Sequence, residues 1–423
     1  MYRSAKALVA AVQAGKDSVD LDPRVKLTEA DVLRLAEALT RSGKVTCLNL
    51  PDNQITDAGT SKLAEAIAGN TSLTWLNLSG NTITDKGVVM VIEAVAKLMS
   101  LTMLDIGVKR MTEVGAGKVA ELVARSASLT HLRLNRSNIT DACVLKLAGA
   151  VARSTSLTTL DFYNNQIADA GASALAEAVA KSSSLATLNL YRNMITDVGA
   201  AKLAEVLPYS TSLTDLLLDG NQITDVGASK LAEAVAKSTS LTSLGLNENK
   251  ITNAGALALA KAVMKGTTIK VLHLCTNKIT DVGASALAVA VTKTTSLTML
   301  MLEENRITDV GVTKLSAALV RSSKVERIDV SDNRATRAGI EAMKTAHDAI
   351  QAMRPTLRLL GPQLPAVATK LTARHFILEK DGDHAIWFRV MEFLAHDDDE
   401  EKEYDAAKDE WRSPAIIQRA RWL

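Results

Sequence analysis

The sequence predicts an α/β fold, a right-handed solenoid in which short strands form a parallel sheet on the concave face and helices cover the convex face. Residues 157–249 contain three near-copies of one unit at a fixed spacing of 28 residues. Each copy begins with an alternating apolar pattern typical of a strand and continues with an alanine-rich, amphipathic pattern typical of a helix. Because such units share one spacing, they are expected to stack side by side.

One asparagine per unit marks how far this spacing extends. It ends a string of the form LxxLxLxxN, and the register gives eleven units without an insertion. Nine of the eleven positions are Asn, and the two exceptions are Lys109 and Ser137. The marker positions are 53, 81, 109, 137, 165, 193, 221, 249, 277, 305 and 333.

The unit around residue 190 illustrates how each pattern predicts structure. Leu188 and Leu190 alternate with polar residues, so both are expected to point into the core while their neighbours face outward. After the strand, Thr196 or Asp197 is the predicted helix N-cap, since hydroxyl and carboxylate side chains can accept a hydrogen bond from the first turn. Gly199 predicts a close approach of neighbouring backbones, and Leu203 and Leu207 form the apolar helix stripe.

The repeated string, followed by I-T-D-x-G-A-x-x-L-A-E-A-V, resembles leucine-rich repeats of the long, ribonuclease-inhibitor-like subtype. That subtype is shared by ribonuclease inhibitor, the Ran GTPase-activating protein and NOD-like receptors. The resemblance covers about Leu27 to Ile350. It implies a horseshoe whose marker Asn residues bond backbone groups of neighbouring turns. Because one solenoid serves many partners, the resemblance constrains fold more than function.

Three segments are predicted along the chain. Residues 1–44 form a helical N-terminal cap and a partial repeat, with no clean strand before the helical pattern that begins at Leu27. Residues 45–352 form the eleven leucine-rich repeats. Residues 353–423 form a helical C-terminal cap or tail that contains the acidic run Asp397–Asp405. An incomplete unit at either end would cover the exposed apolar core of the array.

Composition narrows the classes of partner and compartment. The formal charge of +2 in 423 residues gives no reason to expect nucleic acid or a membrane surface, and no apolar run is long enough to span a bilayer. The initial apolar stretch is too short for a secretory signal. Cys47, Cys143 and Cys275 lie far apart and match no metal or disulfide spacing. We therefore expect a cytoplasmic, monomeric protein without metal, cofactor or small-molecule substrate.

The third and fourth repeats depart from the pattern. Lys109 has no hydrogen-bond acceptor and cannot replace the ladder Asn, so its ammonium must reach water. Ser137 can replace the Asn only in part, and Cys143 stands where other units have Gly. Two interpretations follow: a tolerated irregularity, or a local change of curvature that matters for binding.

The outward positions of the strands and following turns predict the binding surface. They are basic and aromatic near the middle of the array and acidic toward its C-terminal side. Tyr and Arg are favoured in interface hot spots, Met adapts to irregular partners, and segregated charge can steer association. The predicted protein-binding residues are His131, Arg133, Arg136, Tyr163, Tyr191, Arg192, Asp215, Asp219, Glu248, Met299, Met301 and Glu303.

These features favour a non-catalytic scaffold that binds a protein on its concave face. One alternative is a GTPase activator similar to the Ran activator, for which Lys109, Arg110 and Arg136 are the candidate charge-stabilising residues. Another is a bacterial effector, secreted to act on a protein in the host cytosol, because the acidic run resembles acidic blocks of exported effectors. Ribonuclease inhibition fits less well, since that family is rich in Cys and strongly acidic.

Overall fold

The computed structural model describes the backbone of residues 1–360 and the side chains of residues 1–351. The chain divides into two compact units, Met1–Lys344 and Thr345–Leu423. All the strands described below belong to the first unit. The predicted tail helices and acidic run beyond Leu360 lie outside the described residues.

Twelve three-residue strands form one parallel sheet in sequence order. From β2 onward each residue pairs with the residue 28 positions later, as Leu188 does with Leu216. The constant offset explains why every repeat presents equivalent residues in straight rows across the sheet. The strands are β1 Ser18–Asp20, β2 Cys47–Asn49, β3 Trp75–Asn77, β4 Met103–Asp105, β5 His131–Arg133, β6 Thr159–Asp161, β7 Thr187–Asn189, β8 Asp215–Leu217, β9 Ser243–Gly245, β10 Val271–His273, β11 Met299–Met301 and β12 Arg327–Asp329.

Helices alternate with these strands, and consecutive helices from α1 to α12 pack against one another. The helices are α1 Ala5–Gln13, α2 Glu29–Ser42, α3 Asp57–Ala68, α4 Asp85–Val95, α5 Glu113–Arg125, α6 Asp141–Arg153, α7 Asp169–Lys181, α8 Asp197–Val206, α9 Asp225–Val235, α10 Asn253–Met264, α11 Asp281–Lys293, α12 Asp309–Arg321 and α13 Arg337–Leu360. The predicted α/β solenoid of parallel strands and helices is therefore confirmed.

The core lies between the sheet and the helix layer. Leu188 and Leu190 of the strand segment are fully buried, as predicted, and so are Leu203 and Leu207 from the following helix. The outer positions of the strands remain partly accessible, since the first and third residues of β7 are half-buried while its central Leu is covered. Each strand therefore carries one row of core residues and two rows of residues that can face a ligand.

The N-terminal segment contains a strand that the sequence analysis missed. Strand β1 precedes α2 and pairs in parallel with β2, with Val19 opposite Leu48. Val19 and Leu21 are fully buried and take the place of the paired leucines of a full repeat. The expectation of a helical segment without a strand was wrong here because a single valine and leucine replace the longer leucine string.

The marker asparagines connect each repeat to its neighbour through buried hydrogen bonds. The Nδ2 group of Asn193 donates to the carbonyls of Phe162 and Leu190, each at 3.0 Å. Its Oδ1 accepts from the backbone N–H of Ile167 at 3.0 Å. Asn165, Asn221, Asn249, Asn277 and Asn305 repeat this arrangement. The role that the resemblance implied for these residues is thus present in the structure.

A second ladder runs through the aspartates at the helix starts. Thr196 is the N-cap of α8 and accepts from the N–H of Val198. The carboxylate of Asp169, one repeat earlier, accepts from Thr196 N at 2.8 Å, from Thr196 Oγ1 at 2.6 Å and from Gly199 N at 2.9 Å. A Cβ at Gly199 would lie 2.6 Å from Asp169 Oδ1, so the close approach predicted there is confirmed. The repeated Asp therefore serves the next repeat rather than its own helix.

Both ladders are interrupted around the third repeat, residues 101–128. Lys109 is exposed, and Ser137 contributes a single Oγ that accepts from Val108 N at 3.0 Å. Glu113 replaces the ladder Asp and instead pairs with Lys146 at 3.6 Å. Helices α4 and α5 also pack less closely than the other neighbouring pairs from α2 to α12. This repeat is consequently held by fewer specific interactions than those that follow.

We predict that Asn193→Ala lowers the free energy of unfolding by about 2 kcal/mol, because the substitution removes one hydrogen bond from each of two buried carbonyls and leaves the buried N–H of Ile167 without its partner. Urea unfolding followed by circular dichroism measures the loss. Lys109→Ala is the matched control, since it occupies the same register position but is exposed. An Asn193→Ala midpoint equal to that of the control would show that the ladder contributes nothing.

Candidate functional site

The exposed face of the sheet carries two rows from the strands and two more from the turns that follow them. The last of these rows lies immediately before the marker Asn and has left-handed backbone geometry. Eight non-glycine residues in it have φ between 52° and 55°, namely Asp52, Arg136, Asn164, Arg192, Glu248, Thr276, Glu304 and Asp332. Such geometry costs about 1 kcal/mol or more for a residue with a Cβ, and it persists because the adjacent Asn ladder fixes the turn.

Five predicted residues from these rows form one connected cluster, which we call the platform: Arg136, Tyr163, Tyr191, Arg192 and Glu248. The rings of Tyr163 and Tyr191 lie 5.0 Å apart at an interplanar angle of 43°. Arg136 Cζ lies 5.5 Å from the centroid of the Tyr163 ring, and Arg192 Cζ lies 5.0 Å from that of Tyr191. These are cation–π distances, so both guanidinium groups are held against aromatic rings.

Glu248 ties the C-terminal end of the platform together. Arg192 Nη2 lies 3.1 Å from Glu248 Oε2, and the Tyr191 hydroxyl donates to Glu248 Oε1. The contact spans two repeats, since Arg192 and Glu248 are 56 residues apart. Arg192 also donates from Nη1 to the Tyr163 hydroxyl at 3.4 Å. One arginine therefore links both tyrosines to a carboxylate.

The two phenols have opposite electrostatic environments. Hydrogen bonding from Arg136, aided by Arg192, lowers the pKa of Tyr163. Partial burial and the hydrogen bond to the Glu248 carboxylate raise the pKa of Tyr191 to about 12. The positive potential of the platform is therefore concentrated at Tyr163, while Tyr191 is a hydrogen-bond donor at neutral pH.

Gly220 makes the reach from Arg192 to Glu248 sterically possible. It occupies the left-handed row between those two residues, with φ of 62°. A Cβ there would lie 2.7 Å from Arg192 Cγ and 2.8 Å from Tyr191 Cε2. Gly220 was not among the residues selected from the sequence. The signal was present, because a glycine stands there in a row that otherwise carries larger side chains such as Arg192 and Glu248.

The N-terminal neighbours of the platform are His131 and Arg133 on β5. The His131 ring lies 2.8 Å, Nδ1 to Oγ1, from Thr130, and burial with nearby Arg133 lowers its pKa. Arg133 stands in register between Asp105 and Asp161. Asp105 is buried, and that burial raises its pKa to about 6. The sequence analysis did not select Asp105, whose burial becomes visible only in the packed sheet.

The remaining predicted residues lie toward the C-terminal side, and among the described residues none of their side chains forms a hydrogen bond or ion pair with a platform side chain. Asp215 is half-buried and accepts from Thr214 Oγ1. Asp219 is buried, and its Oδ1 accepts from Asn247 N at 2.9 Å. Burial raises the pKa of this carboxyl group. Asp219 is therefore less available to a partner than its spacing suggested.

Met299, Met301 and Glu303 form a second group at β11 and the turn after it. Both methionines are half-buried, and Met301 pairs with His273 in the sheet. The Cys275 thiol donates to Glu303 Oε2. Burial and this carboxylate raise the pKa of Cys275. A protonated thiol bound to a carboxylate is a poor nucleophile, so this group offers contact surface.

The described residues contain no group of three or more His, Cys, Asp or Glu side chains arranged to hold a metal ion. They also contain no helix long and apolar enough to cross a membrane. Of the arginine and lysine candidates for GTPase activation, Lys109 and Arg110 are exposed, whereas Arg136 is held on Tyr163.

Sequence comparison supplies the family. A model described as Leucine Rich repeat matches seven segments: residues 44–64, 69–91, 153–176, 181–204, 209–232, 237–260 and 267–288. The chain is a leucine-rich-repeat protein. Assignment to the ribonuclease-inhibitor-like subtype stays a prediction. No curated protein sequence matches the chain.

Three solved structures are similar to this leucine-rich-repeat protein. The Rad7 and Elc1 complex from yeast aligns with a TM-score of 0.52 and 15% identity, covering 79% of this chain and 84% of that one. An internalin from Listeria monocytogenes aligns with a TM-score of 0.41 and 21% identity over 80% and 92% of the two chains. Leiomodin-1 actin-binding site 2 has a TM-score of 0.30 and 20% identity over 35% and 87%. At such identities only the fold is shared.

We predict that Asp105→Asn stabilises the protein at pH 8 by on the order of 2 kcal/mol. The folded pKa of about 6 lies above the ordinary 3.8, so the contribution of Asp105 to stability is present below pH 3.8 and lost as pH rises through 6. Asn occupies the equivalent position at Asn49 and Asn77, so the amide fits.

Urea unfolding of Asp105→Asn at pH 4, 6 and 8 checks this expectation, with exposed Asp332→Asn as the control. The gain should shrink toward pH 4. An effect that is constant across this range would contradict the proposed cost of ionising the buried carboxyl group.

Proposed function

We propose that this leucine-rich-repeat protein is a non-catalytic scaffold that binds a protein partner on the exposed face of its sheet, which we expect to be concave. The single observation that supports this proposal most is the platform. Its tyrosine and arginine side chains are of the types that dominate binding energy at protein interfaces.

Preorganisation strengthens the argument. Immobilising a flexible side chain on association costs about 0.5–1.5 kcal/mol. The guanidinium group of Arg192 is already held by Glu248, by the Tyr191 ring and by the Tyr163 hydroxyl. Arg136 is likewise placed on Tyr163. A partner would therefore meet side chains whose conformations need little further ordering.

The platform also remains accessible. The side chain of Arg192 is 48% exposed and that of Glu248 is 35% exposed, so the ion pair is not sealed in the core. Arg136 is exposed and both tyrosines are half-buried. An arrangement with apolar ring area, charged groups and a fixed geometry suits a macromolecular surface. The weaker second group at Met301 and Glu303 would extend the contact.

The test is affinity capture from a cytosolic lysate with quantitative mass spectrometry. We expect the combined variant Arg136→Ala, Tyr163→Ala, Tyr191→Ala and Arg192→Ala to reduce partner recovery by about tenfold or more, because hot-spot truncations each cost about 2 kcal/mol. Thermal unfolding monitored by circular dichroism establishes that the variant is folded.

The matched control changes exposed residues on the helices of the same region: Lys202→Ala, Glu205→Ala, Lys230→Ala and Glu233→Ala. This control should recover partners as the unaltered chain does. Equal recovery by the folded platform variant would contradict the proposed binding face.

A further inference from the structure

The platform contains two arginine–tyrosine pairs, and they differ in one respect. Arg192 with Tyr191 forms the first pair, and Arg136 with Tyr163 forms the second. The distances from guanidinium carbon to ring centroid are similar, 5.0 Å and 5.5 Å. The difference is that a carboxylate of the chain binds the first pair, whereas none is found at the second pair among the described residues.

The first pair binds its carboxylate within the chain. Glu248 receives a hydrogen bond from the Tyr191 hydroxyl and an ion pair from Arg192. A guanidinium group and a phenol that both donate to one carboxylate form charge-assisted hydrogen bonds. Such bonds are stronger than hydrogen bonds between neutral groups. The chain therefore already contains one carboxylate that is bound by an arginine and a tyrosine side chain.

The second pair has no carboxylate in the described part of the chain. Glu248 lies 57 residues after Tyr191, and the residue 57 positions after Tyr163 is Gly220. Glycine supplies no acid at that place. No ion pair of Arg136 with an acidic side chain is found among the described residues, while Arg192 Nη1 donates to the Tyr163 hydroxyl at 3.4 Å. Two guanidinium groups therefore converge on one phenol.

The surrounding charges favour an anion at this point. Lys109 and Arg110 on the preceding repeat are exposed, as is Arg136. Two acids on neighbouring strands are less available: Asp105 is buried, and Asp161 accepts hydrogen bonds from Asn135 Nδ2 at 3.1 Å and Tyr163 N at 3.0 Å. The exposed side chains Lys109, Arg110 and Arg136 are thus cationic, whereas the carboxylates of Asp105 and Asp161 are buried or already hydrogen-bonded. The lowered pKa of Tyr163 reports the same positive potential.

We propose that Arg136, Tyr163 and Arg192 bind a glutamate or aspartate side chain from an acidic segment of the protein partner. The inference rests on the proposed function and specifies the chemistry of the partner. A monoanionic carboxylate fits better than a phosphate dianion, because Glu248 and Asp161 both lie beside the site and repel the second negative charge. Glu248 competes for Arg192 and moderates the affinity.

The test uses the full chain and short fluorescein-labelled peptides in fluorescence anisotropy. One peptide alternates glutamate with glycine, a second replaces glutamate with glutamine, and a third with phosphoserine. We expect the glutamate peptide to bind most tightly, and its affinity to fall as salt rises. Arg136→Gln should weaken binding by about tenfold or more, because a hydrogen bond to a charged group is lost.

Glu248→Gln should strengthen binding of the glutamate peptide by about threefold, since Arg192 then loses its internal carboxylate. Lys202→Gln, an exposed residue on α8, should have no effect. Equal binding of the glutamate and glutamine peptides, tighter binding of the phosphoserine peptide, or an unchanged Arg136→Gln affinity would each overturn the inference.

The lysate capture separates this inference from the proposed function. If the combined platform variant loses its partner but the peptides show no charge preference, the scaffold proposal stands and the acidic-segment proposal is wrong. If the combined variant keeps its partner, both are wrong.

Discussion

The hydrogen bonds that the buried asparagines make between repeats are the interaction on which the rest of the structure depends. Each amide joins the carbonyls of two repeats and accepts an N–H from the first, so the turn after every strand is fixed by its neighbour. The left-handed residue in front of each Asn is a consequence of that fixed turn. Three residues of the platform belong to this left-handed row: Arg136, Arg192 and Glu248. The buried asparagine hydrogen bonds therefore fix the backbone conformation of the residues that carry platform side chains.

A second consequence concerns distance. Since equivalent residues in adjacent strands lie about 4.8 Å apart, side chains from different repeats can reach one another only if they are long or if an intervening residue is small. Arginine and tyrosine meet the first condition, and Gly220 meets the second. Shorter side chains in the same rows, such as Thr276, bond within one repeat spacing. The aromatic and cationic composition of the middle repeats is thus what makes a multi-repeat cluster possible.

The fold was predictable from the sequence because one periodic pattern specifies it, and a marker position follows each of the strands β2 to β12 in the next turn. Strand β1 was missed because its two buried residues, Val19 and Leu21, lack the leucine string around them. In the candidate site, the spacing predicted which residues face outward, and it selected all five platform members. It did not predict that Glu248 would cross a repeat to Arg192, because side-chain reach depends on Gly220 and on rotamers. Asp105 and Asp219 are buried by residues of neighbouring repeats, and the spacing of residues along the sequence does not predict that burial.

The interrupted ladders divide the array into parts of unequal cohesion. A solenoid folds as a row of units coupled to nearest neighbours, so its cooperativity extends only as far as each coupling is strong. Lys109 and Glu113 remove specific bonds on the two sides of the third repeat. Every member of the platform lies in the fourth to eighth repeats, beyond this weak link. Thermal opening that starts in the N-terminal repeats would therefore stop at the third repeat and leave the platform assembled.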